Sequence, residues 1–567
     1  MNNEERLSNV RHSTAHLLAQ AVLELFPGTK LTIGPVTDNG FFYDFLPTRN
    51  FKDEDLPIIE KKMKELSKRN LKIEGKEISK EEALEFFKGN EFKEELINGI
   101  TDEKIGFFCQ GDFCDLCKGG HVRYTKELKH FKLTGISGSY WRADRDGIQL
   151  QRISGIAFDS KEEMEEYFQK IEEAKANDHR KLGEQLDLFS FKEEAPGVAF
   201  FHDKGFFIFN KMIEVERELQ QDLYEEVRTP MMMNEKLWRT SGHYDNYKDM
   251  MYFTKADDVP FCIKPMNCPG GILIYKNRPH SYRELPMRVA EYGFVHRHEL
   301  SGVLHGLFRV RGFTQDDAHI YCTVEQVEDE IIGVLNLVLK LYKKFGFETV
   351  KMYVSTRPEK SIGAVELWDK GIEALKNALT RSDIPFEVKE GEGAFYGPKI
   401  DIDIEDSMGR SWQCGTIQID FFLPQNFELE YIDSDQSRKT PIMIHRALYG
   451  SIERFMGILI EHCKGHFPFW MSPVQARILT ITDSQTEYAE TVYASLKKEK
   501  IRVEVDRGGD QIGAQIRRAQ MDKIPWMLVI GKKEVENNTV TLRHTNGKQE
   551  FGLSIEEIIR RAKELDE

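Results

Sequence analysis

Hydrophobic and polar positions divide this chain into stretches with different grammars. From roughly Asn9 to Phe26 apolar residues recur at helical spacing and predict an amphipathic helix. A strand region follows, LTIGPVTDNGFFYDF, punctuated by Gly, Pro and Asn. Residues 161–185 are charged and helix-forming, with Met164, Phe168 and Ile171 spaced for one face, and read as a connecting helix. Between about Leu186 and Ser472, short aromatic-rich strands are separated by helices, an α+β pattern. Beyond Ser472-Pro473 the strands RILTI, IRVEV and WMLVI alternate with helices, one running to about Lys500 and one starting at Gln511. That alternation predicts a separate domain with a parallel or mixed α/β sheet. The predicted domains are therefore 1–160, a linker helix 161–185, 186–472 and 473–567. The chain shows no internal repeat and no low-complexity tract.

One segment gives the third stretch its chemistry: EYGFVHRHELSGVLHGLFRVRGFTQDDAH, Glu291 to His319. Read as a strand in its second half, it points Arg309, Arg311, Phe313, Gln315, Asp317 and His319 the same way. That face offers guanidinium forks for phosphate, a ring for a base, an amide and an acid for a polar substrate, and a metal ligand. Guanidinium stays charged at any working pH and grips phosphate bidentately, so the row points to nucleotide chemistry. Arg297 and Glu299 share a face at period two, one suited to phosphate and the other to an exocyclic amine. The plainer alternative is an ordinary strand with a solvated polar face, which seldom carries Phe, Gln and His in one row.

Further along, Gly450 to Phe455 reads as a helix start capped by Ser451. Helix N-termini attract anions, and Arg454 strengthens that attraction. A lone Arg there is usually plain surface, but Ile452, Phe455 and Leu459 mark a mostly buried helix. Gly391-x-Gly393 lacks the third Gly of a dinucleotide fingerprint. Near the N-terminus, His12 and His16 stand at i and i+4 on one helix face, and Cys117 with His121 would complete a polar cluster. Ser13 replaces the Glu that a metalloprotease helix requires. Cys109, Cys114 and Cys117 have a spacing that also suits an iron–sulfur cluster, but no fourth Cys lies nearby.

Composition sets the limits. With 567 residues, 40% hydrophobic and 31% charged, the chain has the size and balance of three or four globular domains. No apolar run reaches membrane length, and the start is too charged for a signal peptide, so a cytoplasmic location is expected. Eight cysteines do not make a disulfide framework, and a reducing compartment would leave them as thiols or ligands. A net charge of −15, from 79 basic and 94 acidic side chains, argues against indiscriminate nucleic-acid binding. A specific RNA partner held by clusters such as Lys61-Lys62, Lys68-Arg69 or Arg517-Arg518 remains compatible with it.

The fragments PMNCPGG, RVAEYGFVHRHE, LHGLFRVRGFTQDDAH, GEGAFYGPKIDI, WQCGTIQIDF and IHRALYGSIERFMGILIEH together resemble the threonyl-tRNA synthetase family of class II aminoacyl-tRNA synthetases. The resemblance runs from about Val10 to the C-terminus. Pro230 fits the first class II motif, Arg297 and Glu299 the second, and Arg454 the third. It implies a multidomain α+β fold: an antiparallel-sheet catalytic core, an N-terminal α+β editing domain and a C-terminal α/β anticodon-binding domain. It also implies a homodimer formed through the region of the first motif, with ATP, Mg²⁺, L-threonine and tRNA(Thr) as partners and no membrane.

By the same resemblance, Arg297 would hold the α-phosphate and the threonine carboxylate, assisted at the carboxylate by Gln315. Glu299 would read the adenine amine, Phe313 would stack on the ring, and Arg309 and Arg454 would bind the γ-phosphate. Tyr396, Lys399 and Gln413 fall in matching positions around the amino acid and phosphates, and His243 matches a histidine of the transfer step. The family's zinc ligands, one Cys and two His, match Cys268, His319 and His445, one Zn²⁺ per chain. Three protein ligands leave zinc open for substrate, and a metal demanding an oxygen rejects valine, which shape alone cannot. Asp317 would bond the same hydroxyl. Without the resemblance, Cys268 reads as a buried thiol and His319 as a core histidine.

Serine also offers an amine and a hydroxyl, and a missing methyl costs only about 1–3 kcal/mol, so a second sieve is expected. The resemblance places it at His12, His16, Asp115, Cys117 and His121, an editing site that hydrolyses mischarged tRNA. Lys523, Glu534 and Arg543 match anticodon-contacting positions. Departures from the family pattern are an N-terminal ubiquitin-like domain that this sequence does not show, Gly271 for a usual His, Gly120 for a usual Pro, and Gly509 for a frequent Asn. The rival readings are a catalytically inactive synthetase-like RNA-binding regulator and a free-standing deacylase. The complete core residues and the last domain argue against both.

Overall fold

The computed structural model describes residues 3–37, 39–144, 147–507 and 509–566. They form two compact units, Met1–Glu173 and Ala174–Glu567.

The first unit is built around helix α1 (Asn3–Leu25), longer than its periodicity predicts. Nearly every residue from Asn9 to Val22 is buried, so this stretch is a central helix rather than a surface one. Its apolar side chains meet Phe41, Phe45, Phe131 and Ile153 from an antiparallel sheet that includes Gly40–Leu46, His130–Tyr140 and Gln149–Phe158. A second sheet pairs Ile73–Ser79 with β1 (Lys104–Gln110) and β2 (Phe113–Leu116). The tight β1–β2 hairpin sets Cys109 opposite Cys114, and the two are joined in a disulfide. This corrects the expectation of free thiols throughout. Cross-strand pairing brings Sγ atoms together in a way that spacing alone does not reveal. The other six cysteines are free.

The predicted connecting helix is two helices, Lys161–Ala176 and His179–Gln185, broken where Asp178 caps the second. The second unit then opens into an eight-stranded sheet with an antiparallel interior. Its order is Glu225–Glu226, β3 (Met287–His296), β4 (Gly312–Cys322), β7 (Ile442–Ala447), β6 (Ser411–Asp420), β5 (Lys399–Glu405), Val350–Ser355 and Phe386–Lys389. Helices α2 (Cys268–Tyr275) and α3 (Ile452–His462) adjoin it. The polar row is shorter than predicted: β4 starts at Gly312, so Arg309 and Arg311 precede it, and β3 ends at His296, before Arg297 and Glu299. These four charged side chains line the turn-rich connection, where the backbone is free of the period-two constraint.

The C-terminal sheet runs Val503–Val505, β8 (Ala476–Thr480), β9 (Trp526–Ile530), β10 (Val540–His544) and β11 (Gln549–Leu553). Its first three strands are parallel and its last two antiparallel, with Thr486–Lys498 and α4 (Ile512–Met521) among its helices.

Candidate active centres

In the core sheet, register does what sequence spacing does not. His319 on β4 and His445 on β7 are direct cross-strand partners, their rings 4.9 Å apart. Cys268, the first residue of α2, completes a group whose ligating atoms all lie within 4.8 Å of one another. All three are buried, at 5%, 3% and 7% exposure for Cys268, His319 and His445. Burial pulls His319 down to about 4 and pushes the Cys268 thiol up. His319 is therefore neutral, and its Nε2 is buried with no hydrogen-bond partner. One nitrogen of His445, Nε2, lies 3.0 Å from Asp420 Oδ2, which leaves Nδ1 for a ligand. A soft thiol, two imidazoles and an orphaned buried nitrogen fit a three-ligand zinc site.

The remaining core residues surround this point in two groups. Phe313, Gln315, Asp317 and His319 share a face of β4. Asn267 Nδ2 donates to Asp317 Oδ2 at 3.3 Å. Gly293, opposite Gln315, is needed because a Cβ there would lie 2.1 Å from Asn267 Oδ1. Arg297 lies over the Phe313 ring at 5.1 Å and donates to the Pro265 carbonyl at 3.2 Å. Glu299 is paired with Arg309 at 3.0 Å. Arg454, in the first turn of α3, bonds the carbonyls of Phe308 and Gln413 at 3.1 and 3.3 Å. The predicted Ser451 cap is present, its hydroxyl accepting from the Arg454 N–H.

On the other side, one buried carboxylate, Asp401, organises three neighbours. It accepts from Lys399 Nζ at 2.6 Å, from Gln413 Nε2 at 2.5 Å and from Ser355 Oγ at 2.7 Å. Asp401 and Asp420 are orienting residues that sequence reasoning missed. The alternation Lys399-x-Asp401-x-Asp403 was the available signal for the first. Tyr396 is hydrogen-bonded to Gln418, its ring 5.5 Å from His445. His243 is buried, bonded through Nδ1 to Ser241 Oγ at 2.7 Å, and burial lowers it to about 4. Gly271 faces His319, its Cβ position 3.5 Å from Nδ1.

In the first unit, α1 presents His12, Ser13 and His16 to the segment after β2. His12 and His121 stack at 4.3 Å, and His16 meets His121 edge-on at 4.6 Å. Cys117 Sγ lies 3.1 Å from His121 Nε2 and 3.5 Å from His12 Nε2. Ser13 Oγ holds His121 Nδ1 at 3.0 Å. Burial lowers all three imidazoles, His121 to about 2, and raises the Cys117 thiol. The cluster is therefore uncharged, with imidazole lone pairs as bases and no thiolate nucleophile. Asp115 is buried beneath it, bonded to Lys93 Nζ and to Tyr43 OH, both at 2.5 Å. Gly120 has φ +82°, a backbone that proline cannot adopt.

The three residues matched to anticodon contacts do not form one cluster. Lys523 stands before β9 with its Nζ 3.2 Å from His466, whereas Glu534 follows that strand and accepts from Thr541 Oγ1 at 2.9 Å. The five-residue strand spans about 17 Å between them. Arg543 lies on β10 opposite Met527.

Three family models match the chain: the tRNA synthetase class II core domain (G, H, P, S and T) over 252–463, the anticodon binding domain over 475–565, and the threonyl and alanyl tRNA synthetase second additional domain over 107–154. A threonine–tRNA ligase of Carboxydothermus hydrogenoformans is 51% identical over 562 residues, 98% of this chain and 88% of that protein. One of Caldanaerobacter subterraneus subsp. tengcongensis is 53% identical over 536 residues, 94% of this chain and 83% of that protein. Among solved structures, the RNA binding domain of threonyl-tRNA synthetase from Cryptosporidium parvum aligns with a TM-score of 0.66 at 40% identity, over 68% of this chain and 98% of that one. A putative threonyl-tRNA synthetase of Aeropyrum pernix aligns at 0.61 and 31%, over 69% and 95%. With a class II core, an anticodon-binding domain and an editing-type domain in one chain, the protein belongs to the threonine–tRNA ligase family.

Proposed function

We propose that this chain joins L-threonine to tRNA(Thr) through a threonyl-adenylate, and that its first unit hydrolyses seryl-tRNA. The observation that carries the reading is the buried Cys268, His319 and His445 group beside the Arg297–Phe313 face. These three would hold one Zn²⁺, which supplies a Lewis-acidic position that takes an amine and a hydroxyl but not a methyl. Asp317 would accept from the substrate hydroxyl, and Asp420 keeps His445 oriented. Arg297 and Gln315 would hold the carboxylate and α-phosphate, with Tyr396, Lys399 and Gln413 fixing the amino acid and phosphates. Phe313 would stack on adenine and Glu299 would read its amine. Arg309 and Arg454 would take the γ-phosphate, with Mg²⁺ accompanying ATP. In this reading Arg309 releases Glu299 when nucleotide enters, exchanging one carboxylate for phosphate. Charge on the α-phosphate is stabilised by fixed cations, without a covalent enzyme intermediate. His243, neutral at working pH, would serve the transfer to tRNA.

In the first unit, His12, His16, His121 and Cys117 would hold and polarise a water against the seryl ester, above the anchored Asp115. The C-terminal domain, residues 473–567, would bind the anticodon through Glu534 and Arg543, with Lys523 on more distant RNA. Exposed Phe206, Leu223, Met231 and Met232 lie around Pro230 in the sequence and support a homodimer contact there. A cytoplasmic site of action accords with the reading, and no described helix is long and apolar enough to cross a membrane. Threonine-dependent ATP–pyrophosphate exchange with zinc analysis tests the core assignment. Exchange without zinc, still selective against valine, would overturn it.

A further inference from the structure

Strand β4 carries the site on one face and a different task on the other. Phe313, Gln315, Asp317 and His319 share the face of the site, so Asp316 between them takes the opposite one. Asp316 is 1% exposed, and its carboxylate accepts from three successive backbone N–H groups in the turn that joins β7 to α3. Oδ2 takes Leu448 at 2.5 Å and Tyr449 at 2.8 Å, and Oδ1 takes Gly450 at 2.8 Å. Gly450 lies at φ +82°, and a Cβ there would stand 2.5 Å from the Cys414 carbonyl oxygen. The turn is thus pressed against β6 on one side and gripped by a carboxylate on the other. Arg446 balances the charge, with Nη1 3.9 Å from Asp316 Oδ2 and 2.9 Å from Glu216 Oε1.

What this turn delivers is Arg454. Ser451 follows Gly450 and caps α3, and the buried Glu453 reaches back to β4, where both its oxygens accept from the Thr314 N–H, at 3.0 and 2.8 Å. The guanidinium of Arg454 is held by longer bonds, to the carbonyls of Phe308 and Gln413 at 3.1 and 3.3 Å, so its place follows the start of the helix. A residue that only filled space here would be apolar, because burying a carboxylate costs free energy unless it is hydrogen-bonded and paired. Charge-assisted bonds to amides are directional and stronger than neutral ones, which suits a group that fixes a turn. One strand therefore sets two sides of the nucleotide site: Phe313 on its front face, and the start of α3 through Asp316 on its back.

We propose that Asp316 is a positioning residue for ATP: by fixing the amides of 448–450 it sets where α3 begins, and so where Arg454 meets the γ-phosphate. This rests on the reading of Arg454 as a γ-phosphate ligand. The test compares the full chain with Asp316→Asn, Arg454→Ala and the double variant, by equilibrium binding of ATP, AMP and threonine and by zinc content. Asparagine keeps the shape but turns an N–H₂ toward one of the amides that the carboxylate accepts. Asp316→Asn should weaken ATP about ten-fold and leave AMP, which lacks the β- and γ-phosphates, threonine and zinc as they are. The double variant should bind ATP no more weakly than Arg454→Ala alone, since the first residue acts through the second. Gly450→Ala, which displaces the same turn and keeps the carboxylate, should show the same loss for ATP alone, and it stands in if Asp316→Asn does not fold. If Arg454→Ala weakens ATP and AMP equally, the γ-phosphate reading of Arg454 falls. If Arg454→Ala weakens ATP alone, while Asp316→Asn or its stand-in weakens all three ligands alike, sheds zinc or changes nothing, Asp316 serves the fold only and the proposal is overturned.

Discussion

The two Cys–His clusters of this chain use the same residue types and differ in what their polar atoms already hold. In the first unit, Cys117, His12, His121 and Ser13 contact one another, while His16 meets the His12 and His121 rings edge-on. In the core, His319 Nε2 is buried without a partner while Asp420 occupies the far nitrogen of His445. Leaving a buried donor or acceptor unmade costs about 1–3 kcal/mol, so an orphan that meets two further ligand atoms points to a group bound among them. Ligand composition and spacing would put a metal in both places, since each group gathers its ligand atoms within 4.8 Å of one another. The orphaned His319 nitrogen favours the core for a metal, and the His16 ring, which makes only edge contacts with its neighbours, is the group left to position a water in the first unit.

The contrast breaks most sharply at Cys268. Cys268→Ala should drop zinc from one per chain to near none, abolish most threonine-dependent exchange, and lower discrimination against valine by on the order of 10²-fold or more. Metal analysis beside exchange assays on both amino acids reads this. Retention of full zinc by the variant would mean the metal sits elsewhere.

The paired substitution His12→Ala with His16→Ala should leave zinc and threonine activation as they are. Seryl-tRNA hydrolysis should fall by about 10²–10⁴-fold, the usual share of positioned acid–base groups. Loss of zinc from this variant would show that the first-unit cluster binds metal after all.

A smaller effect is expected at the orienting acid. Asp420→Asn should weaken zinc retention against a chelator by about 10–100-fold while the protein stays folded. Chelator titration measures it, and unchanged retention would leave His445 oriented by packing alone.

The smallest effect is a divergence with pH. Burial depresses His12, His16 and His121, so their stabilisation is complete above the unfolded value of 6.5 and is lost as pH falls below it. In the core, burial raises Glu453 to about 7 and Asp316 to about 6. Their contribution has the opposite sign: it is complete below the unfolded values of 4.5 and 3.8 and is lost as pH rises through 7 and 6. Lowering pH from about 7.5 to 5.5 should therefore loosen α1 relative to β4 and α3. Hydrogen-exchange protection, corrected for intrinsic rates, tests the divergence, and parallel changes in both regions would contradict it.

Periodicity and turn residues sufficed for the element grammar: an N-terminal helix, the capped helix at Ser451 and the α/β alternation after Pro473 follow from local patterns, whereas the burial of the first helix on nearly all sides does not. So did the density of charge and aromatics between Glu291 and His319, and the motif fragments that carry the family resemblance. These are properties of neighbours in the chain, and local backbone physics reads them. What it misread was also local, because Arg309 and Arg311 look like strand residues until the chain is seen to turn before Gly312.

Everything that depends on which strands pair was left to the tertiary structure. His319 and His445 become neighbours only because β4 and β7 share a register, and Cys268 joins them only because α2 begins against that sheet. The same holds for Cys109 bonding Cys114, for Asp401 gathering Lys399, Gln413 and Ser355, and for the length of β9 separating Lys523 from Glu534. Side-chain types and their order along the chain determine which chemistry is available. Long-range pairing, paid for in chain entropy and repaid by burial, decides which of those groups meet and which buried atoms are left without a partner.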